Sequence, residues 1–502
     1  MLRARSIALL SLAAALAACS SDSDGDDTST DFDTAGLFDS GGDTSTDADD
    51  PDAGDDASVE PDATPPQPVT VSNLIAVQNP SNPLSYYVEW STDLEVPSVL
   101  QVTCGDDIDA RIAGTTARTQ HEVFVMGLYE GASCTLTAHP DRDAGDEATT
   151  TIDEVSGLPD ELDPLEVTDI DLERMERGWT LFSLGSASEQ ERFIVVAIDE
   201  QGRYRWMFSP GQGRSGVGTE VQALDEGVLL GSGAPHQQIV GWDGETLWRL
   251  DTPAHHDMRL SPFNDGHVIF LSQTESGECS TIEHTAVEMN MTTREIVWRW
   301  IVCDHWTPRL EYRNWSHLNT IEPVPGERAV LISSRDQDVL YKVNRDTDEV
   351  EWVLGMDGDF AMDEDAWFFR QHAPEVQPDG HILVLDNGLR QSEAEERETP
   401  AWREYTRAVE YELTFDEDGN PDRAEVVWEY ADESIFAVNR SEADRLPNGN
   451  TLIHYVWVDP DRRVILREVT PEGEVVWNVQ TVPDRSSYRS ERFAPRYGSV
   501  IE

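Results

Sequence analysis

Residues 314–335, NWSHLNTIEPVPGERAVLISSR, put His317 and Asn319 at the head of one apolar strand and Arg335 at the tail of the next, with Pro325-Gly326 as the turn between them. Both open ends of a hairpin lie at one edge of its sheet, so an imidazole, an amide and a guanidinium meet there. That combination suits an anion, and an imidazole adds a group able to act as a nucleophile or move a proton near neutrality. The same register recurs along the chain. Aligned on the strands that follow each turn, HHDMRLSPFNDGHVIFLS places His256, rather than its neighbour His255, at the position of His317. Aligned on turn glycines, QHAPEVQPDG places His372 opposite Ser441 of RSEADRLPNG, within two positions of that register. Arg335 and Asn387, the latter in LVLDNG, return to the same edge. The catalytic candidates are therefore His256, His317, His372 and Arg335, with His255, Asn319, Asn387 and Ser441 as candidate substrate contacts. The remaining histidines, His121, His139, His236, His267, His284, His305, His381 and His454, stand alone and read as satisfied core or surface residues.

These groups converge only if the strands bearing them share an axis, and the repeats beyond residue 159 supply one. One half-repeat is a hairpin whose return strand carries a tryptophan: Trp206, Trp248, Trp298, Trp352, Trp428 and Trp477. The other half is a hairpin with an Asp, Asn or Gly turn, as in SPFNDGHVIFLS, VQPDGHILVLDNG and RLPNGNTLI. Two hairpins per unit make a four-stranded sheet, and the repetition predicts a six-bladed β-propeller over 159–502. The tryptophans are expected to pack between blades. The first unit starts at WTLFSLG without a clear inner hairpin, and SSYRSERFAPRY is positioned to supply the strand it lacks.

Residues 70–158 read as seven short strands separated by Asn, Pro, Asp and Gly, the pattern of a small immunoglobulin/fibronectin III-like β-sandwich. The overall fold class is thus all-β. Residues 1–18, MLRARSIALLSLAAALAA, have the charge and apolar run of a signal peptide, and LAAC before Ser20 resembles a lipobox with Cys19 as the lipidated residue. Residues 19–69 are acidic with no Lys or Arg after Cys19, which predicts a disordered tether and an exported, periplasmic or cell-surface lipoprotein held to a membrane only through its lipid. The other four cysteines fall into two local pairs, and Cys104–Cys134 with Cys279–Cys303 is the economical pairing. A net charge of −62 excludes nucleic acid as a partner, because counterion release needs a cationic surface. Lys342 is the sole lysine and sits in an apolar strand, so lysine chemistry has no other residue to use.

At these residues the sequence resembles the bacterial arylsulfate sulfotransferases that need no adenylylated sulfate. The motifs are HHD at 255–257, NWSHLN at 314–319, SSR at 333–335, FRQHAP at 369–374, LDNG at 385–388, TRAVEYEL at 406–413 and LPNGNTLI at 446–453. The resemblance implies a six-bladed propeller behind a small sandwich, an aryl sulfate donor, a phenolic acceptor and no cofactor or metal. It also implies ping-pong transfer through a sulfohistidine on His372, with His256, His317, Asn319 and Arg335 around the sulfuryl group. The cysteines do not fall where that family's disulfide is expected. Two other readings stand beside it. One is a metal-dependent propeller enzyme using His256, His317 and His372 as ligands, against which the Arg335 cation weighs. The other is a noncatalytic cell-surface scaffold, since a fold does not dictate a function.

The acidic surface repels a sulfate ester at long range, and salt screens that repulsion. Raising ionic strength should therefore lower the KM for an anionic aryl sulfate, measured as initial rates across a salt series. A marked rise in KM would contradict this reading of the charge.

Overall fold

The computed structural model describes residues 67–142, 145–186, 193–210, 220–231, 237–251, 254–272, 285–307 and 315–501. The expected signal segment, Cys19, most of the tether, Cys279, His236 and His284 lie outside these residues. The described structure is strand throughout except for the short helix Gln391–Glu396 and a 3-10 turn, Val302–Asp304. No helix among the described residues is long and apolar enough to cross a membrane.

Alternation of apolar and polar residues builds the N-terminal part. In Tyr86–Val96 every second residue from Tyr86 to Thr92 is buried, and Trp90 at 2% exposure lies in a core with Leu100, Val102, Val125 and Leu136. The strands Val71–Gln78, Tyr86–Val96 and Arg118–Val125 form one sheet, to which the late strand Gly498–Val500 adds. Ile108–Ala113, Ser98–Cys104, Cys134–Pro140 and Ala148–Ile152 form the other. Ser98–Cys104 pairs directly with Cys134–Pro140, and the disulfide Cys104–Cys134 joins them. Cys303 is also disulfide-bonded. Val69, expected as the end of the tether, is instead fully buried, and its carbonyl accepts from Asp146 N.

Six further antiparallel sheets follow in chain order. The first is built on Trp179–Ser186, Ile194–Ile198 and Tyr204–Phe208; Arg485–Ser486 and Ser490–Phe493 both pair with Trp179–Ser186. The second runs from Val221–Ala223 to Thr246–Leu250, the third from Ala254–Leu260 to Ile296–Ile301, and the fourth from Leu318–Pro323 to Val350–Gly355. The fifth runs from His372–Val376 to Pro421–Ala431. The sixth runs from Glu442–Arg445 to Val475–Gln480 and gains Glu166–Ile170 as a fifth strand. Their leading strands pack on one another: Ala254–Leu260 on Leu318–Pro323, that strand on His372–Val376, and His372–Val376 on Glu442–Arg445.

The repeated tryptophans join successive sheets. Trp206 Nε1 donates to Trp242 O (2.7 Å), Trp248 to Met291 O (2.9 Å), Trp298 to Asp348 Oδ1 (2.7 Å) and Trp428 to Pro471 O (2.8 Å). Trp352 packs with Ile382, Val409 and Tyr411 of the next sheet. Trp477 of the sixth sheet donates to Glu200 O (2.7 Å) of the first. Each indole thus packs an apolar face against the next sheet, and all but Trp352 also place their one donor on a partner there; truncating a buried one to alanine costs about 3–5 kcal/mol.

His454, on Thr451–Val458, is fully buried beside Phe182, and neither ring nitrogen has a hydrogen-bond partner among the described residues. Burial depresses it to about 3. The unfolded imidazole, at ~6.5, binds a proton that the folded one rejects, so His454 costs no stability above ~6.5 and up to ~1.4 kcal/mol per pH unit as pH falls toward its folded value. In urea titrations, His454→Leu should lose less stability between pH 7.5 and pH 5 than the parent; an unchanged difference would remove His454 as a source of acid sensitivity.

Candidate active site

Three leading strands carry the site, and each is irregular at the residue that matters. The pairing slips between His255 and Met258, between Leu318 and Thr320, and between His372 and Glu375. Residues at or beside these slips adopt positive φ without being glycine: His256 at 59°, His317 at 37° and Ala373 at 45°. Arg440 (57°) and Ser441 (77°) do the same ahead of the sixth sheet. A bulge re-aims side chains that strict alternation would send to one face, and such strained conformations persist only where the surroundings enforce them.

The re-aimed imidazoles meet. His256 and His317 have ring centroids 5.0 Å apart, and Tyr488 lies 6.2 Å from His256. His255 is buried behind, with its Nδ1 2.8 Å from His256 Nδ1. His256 is therefore the member of the pair that faces His317. Burial holds His256 well below the usual imidazole range, and neighbouring His255, His317, His372 and Arg489 push it the same way. His317 Nδ1 lies 3.3 Å from Asp336 Oδ2, and Arg335 N donates to His317 O (3.1 Å), so the hairpin ends do close on each other. Asp336 also accepts from Arg335 (2.5 Å) and Arg370 (3.3 Å).

His372 is 2% exposed and tightly oriented. Its Nδ1 faces two oxygens, Asn387 Oδ1 (2.6 Å) and Arg370 O (3.0 Å). Asn387 Nδ2 donates to Ala437 O (2.8 Å) and Arg440 O (3.1 Å), which fixes the amide with its oxygen toward the histidine. The proton therefore sits on Nδ1, and Nε2 keeps its lone pair, accepting from Arg440 N at 3.2 Å. Burial holds His372 well below the ordinary range and Arg335 adds to that; the Asn387 bond opposes it, and Arg489 and His317 lower it further. Burial also lowers Arg335 against the pull of Asp336. The arrangement is a neutral imidazole nitrogen, aimed, beside a guanidinium and a second acid-backed histidine.

The other candidate contacts turn inward. Asn319 is fully buried; its Nδ2 donates to Gln371 O (2.7 Å), while Oδ1 has no partner among the described residues. Ser441 Oγ accepts from Val456 N (2.9 Å) and donates to Asn439 O (3.4 Å). Asn387 is spent on orienting His372. Gly388 after it has φ +81°, and a Cβ there would meet Tyr405 O at 2.5 Å, so the corner requires glycine.

Sequence reading missed Asp336, Arg440, Tyr488 and Arg489. Asp336 follows Arg335 directly, and the other three come from a loop and from SSYRSERFAPRY, where no periodicity tells which side chain turns inward. Arg489 is 1% exposed and joins Asp257 Oδ2 (3.3 Å), Asn319 O (2.9 Å), Thr320 Oγ1 (2.8 Å) and Glu220 (3.2 Å). Against the penalty of burial, Glu220 and Asp257 hold its charge. Tyr488 is 2% exposed, and its hydroxyl has no partner among the described residues.

The histidine nitrogens do not converge as a metal-ligand set. The described group whose ligand atoms lie within 4.8 Å of one another is Asp379, His381 and Glu410, elsewhere on the fifth sheet, and there Glu410 also pairs with Arg445. A cavity of about 1000 Å³ by Asp363–Asp365 and Pro400–Tyr405 contains no histidine and lies apart from the site.

Residues 166–489, more than half of the chain, match the family model described as Arylsulfotransferase (ASST). The chain belongs to that family. Arylsulfotransferase membership makes it a sulfotransferase whose donor is an aryl sulfate and whose acceptor is a phenol. The matched span holds all four catalytic candidates and ends at Arg489. A search of curated proteins gives no match. Solved structures with some likeness include the hydrazine synthase of Kuenenia stuttgartiensis (10% identity, TM-score 0.33, covering 56% of this chain and 74% of that one). Another is AztD of Citrobacter koseri (8% identity, TM-score 0.28, covering 77% and 83%). Both are too remote to carry an argument for this arylsulfotransferase.

If Asn387 sets the tautomer, Asn387→Leu should cut kcat by about 10²-fold or more with a smaller change in KM, because misorientation harms the reacting geometry more than binding. Steady-state kinetics checks this, and a pure KM effect would move Asn387 into substrate binding.

Proposed function

We propose that this arylsulfotransferase works by two in-line transfers through His372, on a six-bladed propeller formed by the six sheets. The observation that carries the mechanism is the fixed tautomer: Nδ1–H is committed to Asn387 and Arg370, so the lone pair is on Nε2, where it accepts from Arg440 N and leaves that contact to attack sulfur. In the first half-reaction Nε2 attacks sulfur, the S–O bond to the aryl group breaks, and the phenolate leaves with a proton. In the second, an acceptor phenol loses its proton, its oxygen attacks sulfur, the N–S bond breaks, and Nε2 regains its lone pair.

His317 is the better placed proton carrier. Asp336 holds its Nδ1 and can stabilise the cation formed when the ring takes a proton, whereas His256 stands among other imidazoles and Arg489 and stays neutral. Arg335 supplies fixed positive charge to the sulfuryl oxygens, the positioning and electrostatic role that dominates such transfers. The unsatisfied Asn319 Oδ1 is an acceptor for a phenolic or histidine N–H or O–H rather than a ligand for sulfuryl oxygen. The ring reading rests on the indole contacts, which run from each sheet to the next, by packing alone at Trp352 and by hydrogen bonds elsewhere, and from Trp477 back to the first. A signal segment with Cys19 as lipid anchor would place the enzyme outside the cytoplasm.

Mixing full-length enzyme with 4-nitrophenyl sulfate, without acceptor, should release about one equivalent of nitrophenol per site and leave a label on His372; turnover should require added phenol. His372→Ala should lose at least about 10³-fold in rate and all labelling. Because its pKa is lowered, the nucleophile stays neutral until pH falls below the ordinary ~6.5, so the acid limb of kcat/KM should lie under that value. Acceptor-independent turnover without a labelled intermediate would overturn the two-step reading.

A further inference from the structure

Among the described residues, arginines with enclosed side chains pair with carboxylates, as Arg205 does with Asp199, Arg397 with Asp338 and Arg407 with Asp386. Arg440 is different. No carboxylate lies within ion-pair distance of it among the described residues, and its Nη1 donates to Ser486 Oγ (2.6 Å). The guanidinium stands 5.2 Å from the centroid of Trp457, and Arg462, also without a carboxylate partner among the described residues, stands 5.4 Å from the same ring. Burial lowers Arg440 to about 10, which leaves it charged at neutrality.

Its position relative to the nucleophile is set by the backbone. Arg440 N–H points at His372 Nε2 (3.2 Å), so the side chain leaves from the edge of the reacting centre. Yet the charges that chiefly depress His372 are Arg335 and Arg489, with His317, and Arg440 is not among them. The guanidinium meets Ser486 and the face of Trp457 and has Tyr488 as a neighbour. Arginine's planar fork matches a carboxylate with two parallel hydrogen bonds, and an aromatic face holds the cation in place without neutralising it.

We propose that Arg440, held by Trp457, is a specificity subsite for a carboxylate carried on the ring of the phenolic acceptor. The inference rests on the arylsulfotransferase reading of His372 and names a substrate class within it. The sulfuryl group is met by Arg335, and the far end of the acceptor is met by Arg440.

The test uses the full chain, 4-nitrophenyl sulfate as donor, and three acceptors at fixed ionic strength: phenol, 4-hydroxybenzoate and its neutral isostere 4-hydroxybenzamide. Wild type should prefer the carboxylate over the amide by about 10-fold or more in kcat/KM, the discrimination expected of a charge-assisted bond. Arg440→Gln should erase that ratio, Arg440→Lys should keep part of it, and Trp457→Leu should weaken it. A wild-type ratio near one, or an equal loss for all three acceptors in Arg440→Gln, overturns the subsite. Calorimetric binding of 4-hydroxybenzoate and 4-hydroxybenzamide to His372→Ala gives the same comparison without turnover. A preference for the benzoate in binding with no transfer in wild type would therefore count against the His372 reading and leave the subsite standing.

Discussion

The site depends on one buried cation. Arg489, contributed by the segment that follows the sixth sheet, reaches Glu220 ahead of the second sheet, Asp257 on the third, and Asn319 and Thr320 on the fourth. Asp257 in turn accepts from Ile321 N (2.8 Å) and pairs with Arg259 (3.0 Å). Leading strands from different sheets have no backbone hydrogen bonds to one another, so without such a brace their relative heights would be set by side-chain packing alone. A buried charge with several partners is costly to disturb, because removing one partner strands the rest. Here that cost falls on any motion that would separate His256 from His317.

Around this brace the backbone accepts strain where the chemistry is. His256, His317 and Ala373 hold positive φ at or next to bulged ends of their strands, and Ser441 does so just ahead of Glu442–Arg445. Each such residue costs of order 1–3 kcal/mol and survives only under constraint from its surroundings. The constraint is visible: Thr320 Oγ1 accepts from Ala373 N (3.1 Å), Asn319 grips Gln371 O, and Gln371 Nε2 donates to Ser333 Oγ (3.0 Å) and to the carbonyls of Ser334 and Val339. The fourth and fifth sheets are therefore locked together beside His317 and His372. Rigid preorganisation of this kind is what an exchange between two similar oxyanion esters requires, since little else distinguishes its transition state.

Much of this was legible in the chain because repetition turns position into geometry. The indoles, the turn glycines and the cysteine pair Cys104 and Cys134 each follow from a local pattern with a period of two or a fixed turn. His256, His317 and His372 could be placed together for the same reason, by register between repeats. The residues that escaped are those whose direction no period encodes. A bulge breaks the parity that tells inward from outward, so Asn319, Asn387 and Ser441, expected as substrate contacts, instead commit side-chain atoms to neighbouring backbone. Arg440, Tyr488 and Arg489 lie outside any strong alternation, and their inward aim follows only from the neighbours they find. Asp336 was hidden differently: beside Arg335 it reads as an ordinary surface pair, and only the fold brings His317 against its other oxygen.

The segment from Arg485 to Val500 does three jobs in sixteen positions' worth of chain order: it adds strands to Trp179–Ser186, inserts Tyr488 and Arg489 beside the histidines, and lays Gly498–Val500 against Arg118–Val125. It is also synthesised after every other part it completes. A nascent polypeptide can therefore carry His256, His317 and His372 for most of its time on the ribosome without possessing an assembled centre. Competence arrives in a single late event, which keeps half-made molecules inert.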